Sequence, residues 1–391
     1  MAKQRTAVVG VGQTNYQATR GDVSIPGLLR EAALGALADA GMTWSDIDAV
    51  VIGKAPDFFE GVMMPELGLA EAIGAVGKPI LRVHTAGSVG GSTSLVATSL
   101  VQSGQHDRVL TIGYEKQSES NAMWALSLPQ PFSTAVNAGA GGYFSPIIRR
   151  YIAQSGAPEL IGCMVAFKDR QHALKNPLAH LQQPDLTFDQ VVEAPMLWDP
   201  IRYSETCPSS DGAAAMVLAS ESVAEQVAAD TGRRPAWVHG AAMRSESGNF
   251  PGREMVSPRA SEECAADVFA QAGITNPREE IDAAEIYVPF SWYEPMWLES
   301  LGFCAKGDGW KLVEQGATSL DGGDLPVNAS GGVLSSNPIG ASGMIRFAEA
   351  ALQVRGLAGD HQVDGATKAF GHAYGGAAQY YAMWVVGAEK P

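Results

Sequence analysis

The chain has 391 residues, 46% apolar and 18% charged, enough for a sizeable core in one large or two to three ordinary domains. Its formal net charge of −15 argues against nucleic acid and against an anionic membrane surface, while leaving room for an anionic small ligand at a local basic patch. No window approaches ~18 consecutive apolar residues, so no membrane-spanning helix is expected.

The N-terminus enters a strand-like run directly, with no signal-peptide hydrophobic region. Cys163, Cys207, Cys264 and Cys304 show neither CxxC nor metal spacing. Free thiols in a cytoplasmic protein with no metal site are expected.

In chain order, Thr6–Gly12 is a short apolar run ending in glycines and predicts a buried strand. Its lone Gly-x-Gly is weak evidence for a nucleotide site, since no GxGxxG follows. Leu29, Ala32, Ala33, Ala36, Leu37 and Ala40 recur at the spacing of a core-facing helix, and Gly41 sits where a C′ glycine would. Ile47–Gly53 predicts a second buried strand. Pro79–Thr93 reads as a strand, a glycine-rich turn and the start of a helix through Leu100; Arg108–Gly113 reads as a further strand.

Residues 117–205 differ and predict an inserted loop domain. Asn137–Gly142 is expected to be flexible, and prolines and aromatics are dense from Pro177 to Pro208. Lys168, Arg170, His172 and Lys175 concentrate positive charge there. Two readings stand open: a solvated helix face, or an edge that meets ligand phosphates.

After residue 235 the pattern of the first half returns. Trp237–Ala242 is strand-like; Ala265, Val268, Phe269 and Ala272 mark a helix closed by Gly273; Ile281–Tyr287 follows. Asp39-Ala-Gly-Met-Thr…Asp46-Ile-Asp-Ala matches Gln271-Ala-Gly-Ile-Thr…Glu280-Ile-Asp-Ala, a period far longer than that of solenoid repeats. The repeat predicts two α/β halves of one topology, residues 1–116 with 206–225, and 235–391.

Asn328–Arg346 holds four glycines, one proline and six Ser/Asn before the largely apolar run Phe347–Val354. It predicts a sharply bent loop and then a helix, whose first N–H groups can hold an anion or a developing oxyanion. A tight structural turn packed under a helix is the other reading.

This stretch resembles the C-terminal loop of thiolases, which reads Asn-x-x-Gly-Gly, then Gly-His-Pro, then Gly-Ala-(Ser/Thr)-Gly before a helix. Here Asn-x-Ser-Gly-Gly and Pro-x-Gly-Ala-Ser-Gly stand intact, but Ser336-Asn337-Pro338 replaces Gly-His-Pro. Cys207–Ala215 is similar to the family's return from its loop domain. Glu285–Phe290 sits where thiolases carry Asn-Glu-Ala-Phe or Glu-x-His-x-x-Phe. Over nearly the whole chain the sequence resembles the thiolase superfamily, and within it the thiolase-like lipid-transfer proteins of actinobacterial sterol degradation.

The resemblance implies two repeated βαβαβ halves in a layered αβαβα arrangement with an inserted loop domain. It implies coenzyme A as part of the substrate and no permanently bound cofactor. It also implies a homodimer, with the strand near Arg108–Gly113 or its neighbours at the interface. A separate partner chain carrying a zinc ribbon and an OB-fold is a further implication.

The departures bear on activity. Ser88 falls nearest the position of the nucleophilic cysteine, Asn337 replaces the catalytic histidine, and Ala373 and Tyr374 stand where the second cysteine would precede Gly375-Gly376. None of the four cysteines falls in these loops, so chemistry through an acyl-cysteine is not expected.

The expectation is retro-aldol cleavage of a β-hydroxyacyl-CoA, a sterol side-chain ester, to a ketone and a shorter acyl-CoA. Tyr287 or Tyr374 would take or relay the β-hydroxyl proton. His372 would lower a tyrosine's pKa or be the base itself, and Asn337 with glycine-loop N–H groups would hold the enolate. Ser88 has no covalent role in this reading. Lys168, Arg170, Lys175, Gly332 and Ser335 are the candidates for contacting CoA.

Two alternatives remain. One is a non-catalytic acyl-CoA or sterol carrier, whose loops would drift apolar, whereas Ser88, Tyr287, Asn337, His372 and Tyr374 keep hydrogen-bonding groups. The other is acyl transfer through Ser88.

Overall fold

Strands buried on both faces need helices on both sides, and their apolar residues then run nearly unbroken. The computed structural model, which describes residues 4–55, 57, 61–119, 139–248 and 252–391, has this character. The first half contributes β1 (Thr6–Gln13), helix α1 (Ile25–Ala40), β2 (Ala49–Gly53), β3 (Ile80–Val83), helix α2 (Val89–Gln102) and β4 (Arg108–Lys116). The insert holds helices α3 (Gly139–Ser155) and α4 (Ile161–Ala173) and a two-stranded ribbon, β5 (Met196–Trp198) with β6 (Ile201–Arg202). The chain returns through β7 (Asp211–Ser220).

The second half contributes β8 (Ala236–Ser245), helix α5 (Arg259–Gln271), β9 (Ala283–Glu285), helix α6 (Tyr293–Ser300), helix α7 (Ile339–Arg355), β10 (Lys368–Gly375) and β11 (Tyr380–Gly387). Gln13 pairs with Ala214 and Thr6 with Ser220, so β7 completes the first half between β4 and β1.

Among the described residues nine strands join in the order β3-β2-β4-β7-β1-β8-β11-β10-β9. Read outward from the β1–β8 junction, the halves run β1-β7-β4-β2-β3 and β8-β11-β10-β9. A bridge from Ala284 to Val327 stands in the second half where β3 stands in the first. The sequence repeat is therefore a repeat of strand order.

Strand alternation sorts the core into layers. On β4 and β7, Leu110, Ile112, Ala213 and Val217 face α1, while Val109, Met216 and Leu218 face α2 and α7. On β10, Ala369 and Ala373 face α2 and α7, while Phe370 and Tyr374 face α5, α6 and the insert. The result is five layers, with α2 and α7 in the middle. α1 is the helix its apolar stripe predicts, with Leu29, Ala32, Ala33, Ala36, Leu37 and Ala40 buried and Gly41 at φ 65° closing it.

The central pair packs through glycine. A Cβ on Gly90 would lie 2.4 Å from Met344 N, and one on Gly343 would lie 2.8 Å from Gly91 N. The hydroxyls of Thr93, Ser94 and Thr98 in α2 donate to carbonyls one turn back (2.7–2.9 Å), so a polar sequence can sit fully buried.

β4 lies inside the sheet between β2 and β7, with its strand groups consumed on both sides. Among the described strands on this side, the outer position belongs to β3, two places from β4. In the glycine-rich stretch expected to be flexible, residues 137 and 138 lie outside the described residues, and Gly139–Gly142 open α3.

Gly343→Val is expected to force α2 and α7 apart and lower stability by about 1–3 kcal/mol or more. Gly21→Ala, whose nearest neighbour would be Thr19 Cγ2 at 3.9 Å, should change it by less than about 0.5 kcal/mol. Urea unfolding midpoints of the two variants provide the comparison.

Candidate active site

The loop after Val327 is shaped by its first residue. Asn328 adopts φ 56°, a left-handed conformation that asparagine tolerates. Its Oδ1 accepts from Ile286 N at 2.8 Å, and its own N donates to Ala284 O at 2.8 Å. The Asn of the Asn-x-Ser-Gly-Gly motif thus staples this loop to the end of β9. Ser330 N and Oγ donate to the Glu285 carboxylate at 3.1 and 2.9 Å, and Arg346 of α7 pairs with the same carboxylate. The loop is clamped between β9 and α7 before it reaches Asn337.

Asn337 is the junction of the site. Its Oδ1 accepts from Ser342 Oγ at 2.7 Å and from Tyr287 Oη at 3.3 Å, while its Nδ2 donates to Cys207 Sγ at 3.1 Å. Its backbone N donates to Ser210 Oγ at 3.0 Å, and Gln117 Nε2 donates to its carbonyl. In this amide orientation Oδ1 accepts from both hydroxyls, and Ser342 Oγ also reaches Pro338 O at 3.0 Å.

Tyr287 and Tyr374 meet edge to face, with ring centroids 5.3 Å apart. Tyr374 also stacks on Tyr293 at 6.1 Å and packs beside Phe144 of α3. Both tyrosines are buried, and burial raises their hydroxyls above the ordinary value of 10.0. Tyr374 Oη has no hydrogen-bond partner among the described residues. These are neutral phenols at physiological pH.

His372 is fully buried beside Trp297, and its Nδ1 accepts from Tyr287 N at 3.3 Å. Burial pushes its pKa down to about 3. The hydrogen bond that His372 makes is to the Tyr287 backbone N and not to a tyrosine hydroxyl. Desolvation keeps the imidazole neutral and the tyrosines protonated, and the ring positions the Tyr287 backbone.

Ser88 precedes α2 and is wholly buried. Its Oγ donates within its own turn, lying 2.8 Å from Thr85 O and 2.9 Å from Thr85 Oγ1. No titratable group is hydrogen-bonded to it among the described residues. Gly375 packs against this turn, where a Cβ would lie 2.2 Å from Ser88 N. The turn before α2, the end of β10 and the Asn337 loop thus share one locus.

The basic cluster is a different object from the phosphate edge or the solvated face. The Lys168 side chain is only 9% exposed, its Nζ 2.8 Å from Asp169, 3.0 Å from Glu294 and 2.9 Å from Val327 O. Arg170 donates to the carbonyls of Leu334, Ser204 and Thr206, and burial lowers it to about 10. His172 joins Asn328 O and Leu320 N. Only Lys175 reaches the surface, paired with Asp321 at 2.7 Å.

Lys168 and Arg170 therefore brace the loops from behind and present no cationic surface to a ligand. Gly332 packs against Asn328, and Ser335 Oγ donates to Asp169 O at 3.2 Å, so these two candidates for CoA contact are also turned inward.

Two residues escaped the sequence reading. Cys207 lies against Asn337, and His180 bonds Ser210 Oγ at 2.8 Å through Nδ1 while its N donates to Ser336 Oγ at 2.9 Å. Both come from the insert and its return. The one usable signal was the position of Cys207 immediately before the Pro-Ser-Ser-Asp-Gly motif.

A family model described as thiolase C-terminal domain-like matches residues 218–388. An acetyl-CoA acetyltransferase of Methanothermobacter thermautotrophicus is 32% identical, across 95% of this chain and 96% of that protein. Sterol carrier protein 2 of Homo sapiens is 28% identical, across 95% of this chain and 70% of that protein. The solved structure of an Ltp2-ChsH2(DUF35) aldolase superposes with a TM-score of 0.82 at 28% identity, covering 98% of both chains.

Replacing Lys168 by Met leaves Asp169 and Glu294 as uncompensated buried charge, so a loss of about 3–5 kcal/mol is expected in urea unfolding. Lys175→Glu breaks only a surface pair and should change stability by less than about 1 kcal/mol. It should also leave acyl-CoA affinity, read by calorimetry, unchanged.

Proposed function

This chain belongs to the thiolase superfamily, in its thiolase-like lipid-transfer and aldolase group, and on that premise we propose that it cleaves a β-hydroxyacyl-CoA by a retro-aldol reaction. The products are a ketone and a shorter acyl-CoA, and no cysteine nucleophile takes part. The observation that carries this reading is the contrast between two loops. At the nucleophile position Ser88 is sealed into its turn with no base, whereas Tyr287, Asn337 and Tyr374 form a polar, neutral locus. The superposed Ltp2-ChsH2(DUF35) structure, itself an aldolase, supports the same reaction class.

The locus suits an enolate. One Nδ2 hydrogen of Asn337 is used on Cys207; the other, with Tyr374 Oη–H, is available to the thioester oxygen as negative charge develops there. A neutral tyrosine cannot hold a proton permanently taken from the β-hydroxyl. It can relay one, accepting that proton as it passes its own toward the enolate. The aromatic wall of Phe144, Phe290, Tyr293 and Tyr374 favours a bulky apolar acyl group, in keeping with a sterol side-chain ester.

Partners and setting follow as part of the proposal. The half-exposed β3 edge, near exposed Met63, Met64, Leu67 and Val76, is the surface offered to a second copy. A separate zinc-ribbon and OB-fold chain is the expected assistant, in line with the two components, Ltp2 and ChsH2(DUF35), of the superposed aldolase. Four free cysteines accord with a cytoplasmic protein.

Incubation with branched 3-hydroxyacyl-CoA esters should release a ketone, detected by mass spectrometry. Tyr287→Phe and Tyr374→Phe should each lower the rate about 10²–10⁴-fold while the protein stays folded. Ser88→Ala should cost less, and an acyl-serine adduct on the wild type would defeat the proposal. Because burial raises both phenols above 10.0, they keep their protons as pH rises, and the rate should show no decline from tyrosine ionisation between pH 7 and 10.

A further inference from the structure

Cys207 sits against an amide that also receives the hydroxyls of Ser342 and Tyr287. Asn337 Oδ1 is occupied by Ser342 and Tyr287, so Nδ2 faces the sulfur and donates to it across 3.1 Å. The thiol's own hydrogen is therefore not used on Asn337. The loop that carries it is braced on both sides. Cys207 N donates to Pro289 O at 3.0 Å, Arg170 holds the carbonyls of Ser204 and Thr206, and Ser210 Oγ receives Asn337 N.

A second, independent feature marks the same place as open to a ligand. Tyr374 is 5% exposed, and its hydroxyl has no partner among the described residues. Cys207 and Tyr287 meet the same Asn337 amide, and the rings of Tyr287 and Tyr374 lie 5.3 Å apart, so the thiol and the two tyrosines form one cluster.

Burial pushes the thiol up to about 11. At neutral pH it is an S–H group, unsuited to nucleophilic attack. It nevertheless stays more acidic than the Tyr287 phenol, which burial raises further. Geometrically, sulfur is the neutral donor whose hydrogen the Asn337 amide leaves unused.

We propose that Cys207 Sγ–H is the acid that protonates Cα of the enolate left by carbon–carbon cleavage. This rests on the retro-aldol reading. The Cα–Cβ bond breaks, its electron pair becomes the enolate, and the β-carbon becomes the ketone as its hydroxyl proton leaves. As the enolate carbon takes the proton of Cys207, the developing thiolate takes up the β-hydroxyl proton through a tyrosine hydroxyl in the same concerted step. One proton moves from oxygen to carbon, and every protein group returns to its starting state.

The experiment follows Cα hydrogens in deuterated water. Wild-type protein is incubated with the shorter acyl-CoA alone and, separately, with the 3-hydroxyacyl-CoA. Mass spectrometry reads deuterium in the acyl group, and ketone is measured in parallel. Wild type should exchange the Cα hydrogens.

Cys207→Ala should lose exchange and cleavage together by about 10²-fold or more. Its KM and urea midpoint should not change, and Cys207→Ser should recover part of both rates. Exchange and cleavage at wild-type rates in Cys207→Ala would overturn the role of the thiol while leaving the aldolase reading intact. Exchange that depends on Cys207 with no ketone from wild type would retain the thiol as Cα acid and remove the aldol substrate. Neither exchange nor ketone from wild type would overturn both.

Discussion

The close contact of α2 with α7 is the constraint on which the rest depends. Each helix begins at a turn of the candidate site, α2 after Ser88 and α7 after Pro338, and each has glycine where it meets the other. Backbone against backbone leaves no side chain to adjust, so the distance between the two turns is set by van der Waals contact. Hydroxyls in α2 bond their own helix, which leaves the two helices free to pack without seeking polar partners across the joint. Chemistry that depends on placing Asn337, Tyr287 and the Ser88 turn around one substrate inherits its precision from this pair.

Burial then divides the polar groups into two kinds. Salt-bridging groups lie behind the site: Lys168 with Asp169 and Glu294, and Arg346 with Glu285. They hold the loops and offer nothing to a ligand. The groups at the locus itself, the amide of Asn337, the phenols of Tyr287 and Tyr374 and the thiol of Cys207, are neutral. Low dielectric strengthens a neutral hydrogen bond toward developing charge and opposes standing charge. A site of this kind suits the enolate and the proton relay proposed above, which need no ionised base waiting for substrate.

The exchange of histidine for asparagine fits the same logic. An amide in that position both donates and accepts, so it can hold an oxyanion while ordering a tyrosine and a cysteine around itself. His372, which the sequence places beside the locus, is withdrawn into the aromatic layer, where its Nδ1 serves the Tyr287 backbone.

What the sequence determined by itself is what depends on local pattern. Periods of two and of about 3.6 residues made the strands and α1 legible, and glycine clusters marked the turns at Ser88 and Asn328. The match around Asp39 and Gln271 disclosed a repeat that became a repeat of strand order. Missing cysteines at the motif positions removed acyl-cysteine chemistry from the expectation. What only the tertiary structure decided is what depends on surroundings. Lys168 and Arg170 read as a basic cluster until Glu294 and Leu334, far along the chain, closed over them. Cys207 joined the site through Asn337, 130 residues away. A pKa is set by desolvation and by neighbours in space, and sequence spacing carries neither. The tyrosines and His372 could therefore be found by motif, but their protonation states could be read only from the packed protein.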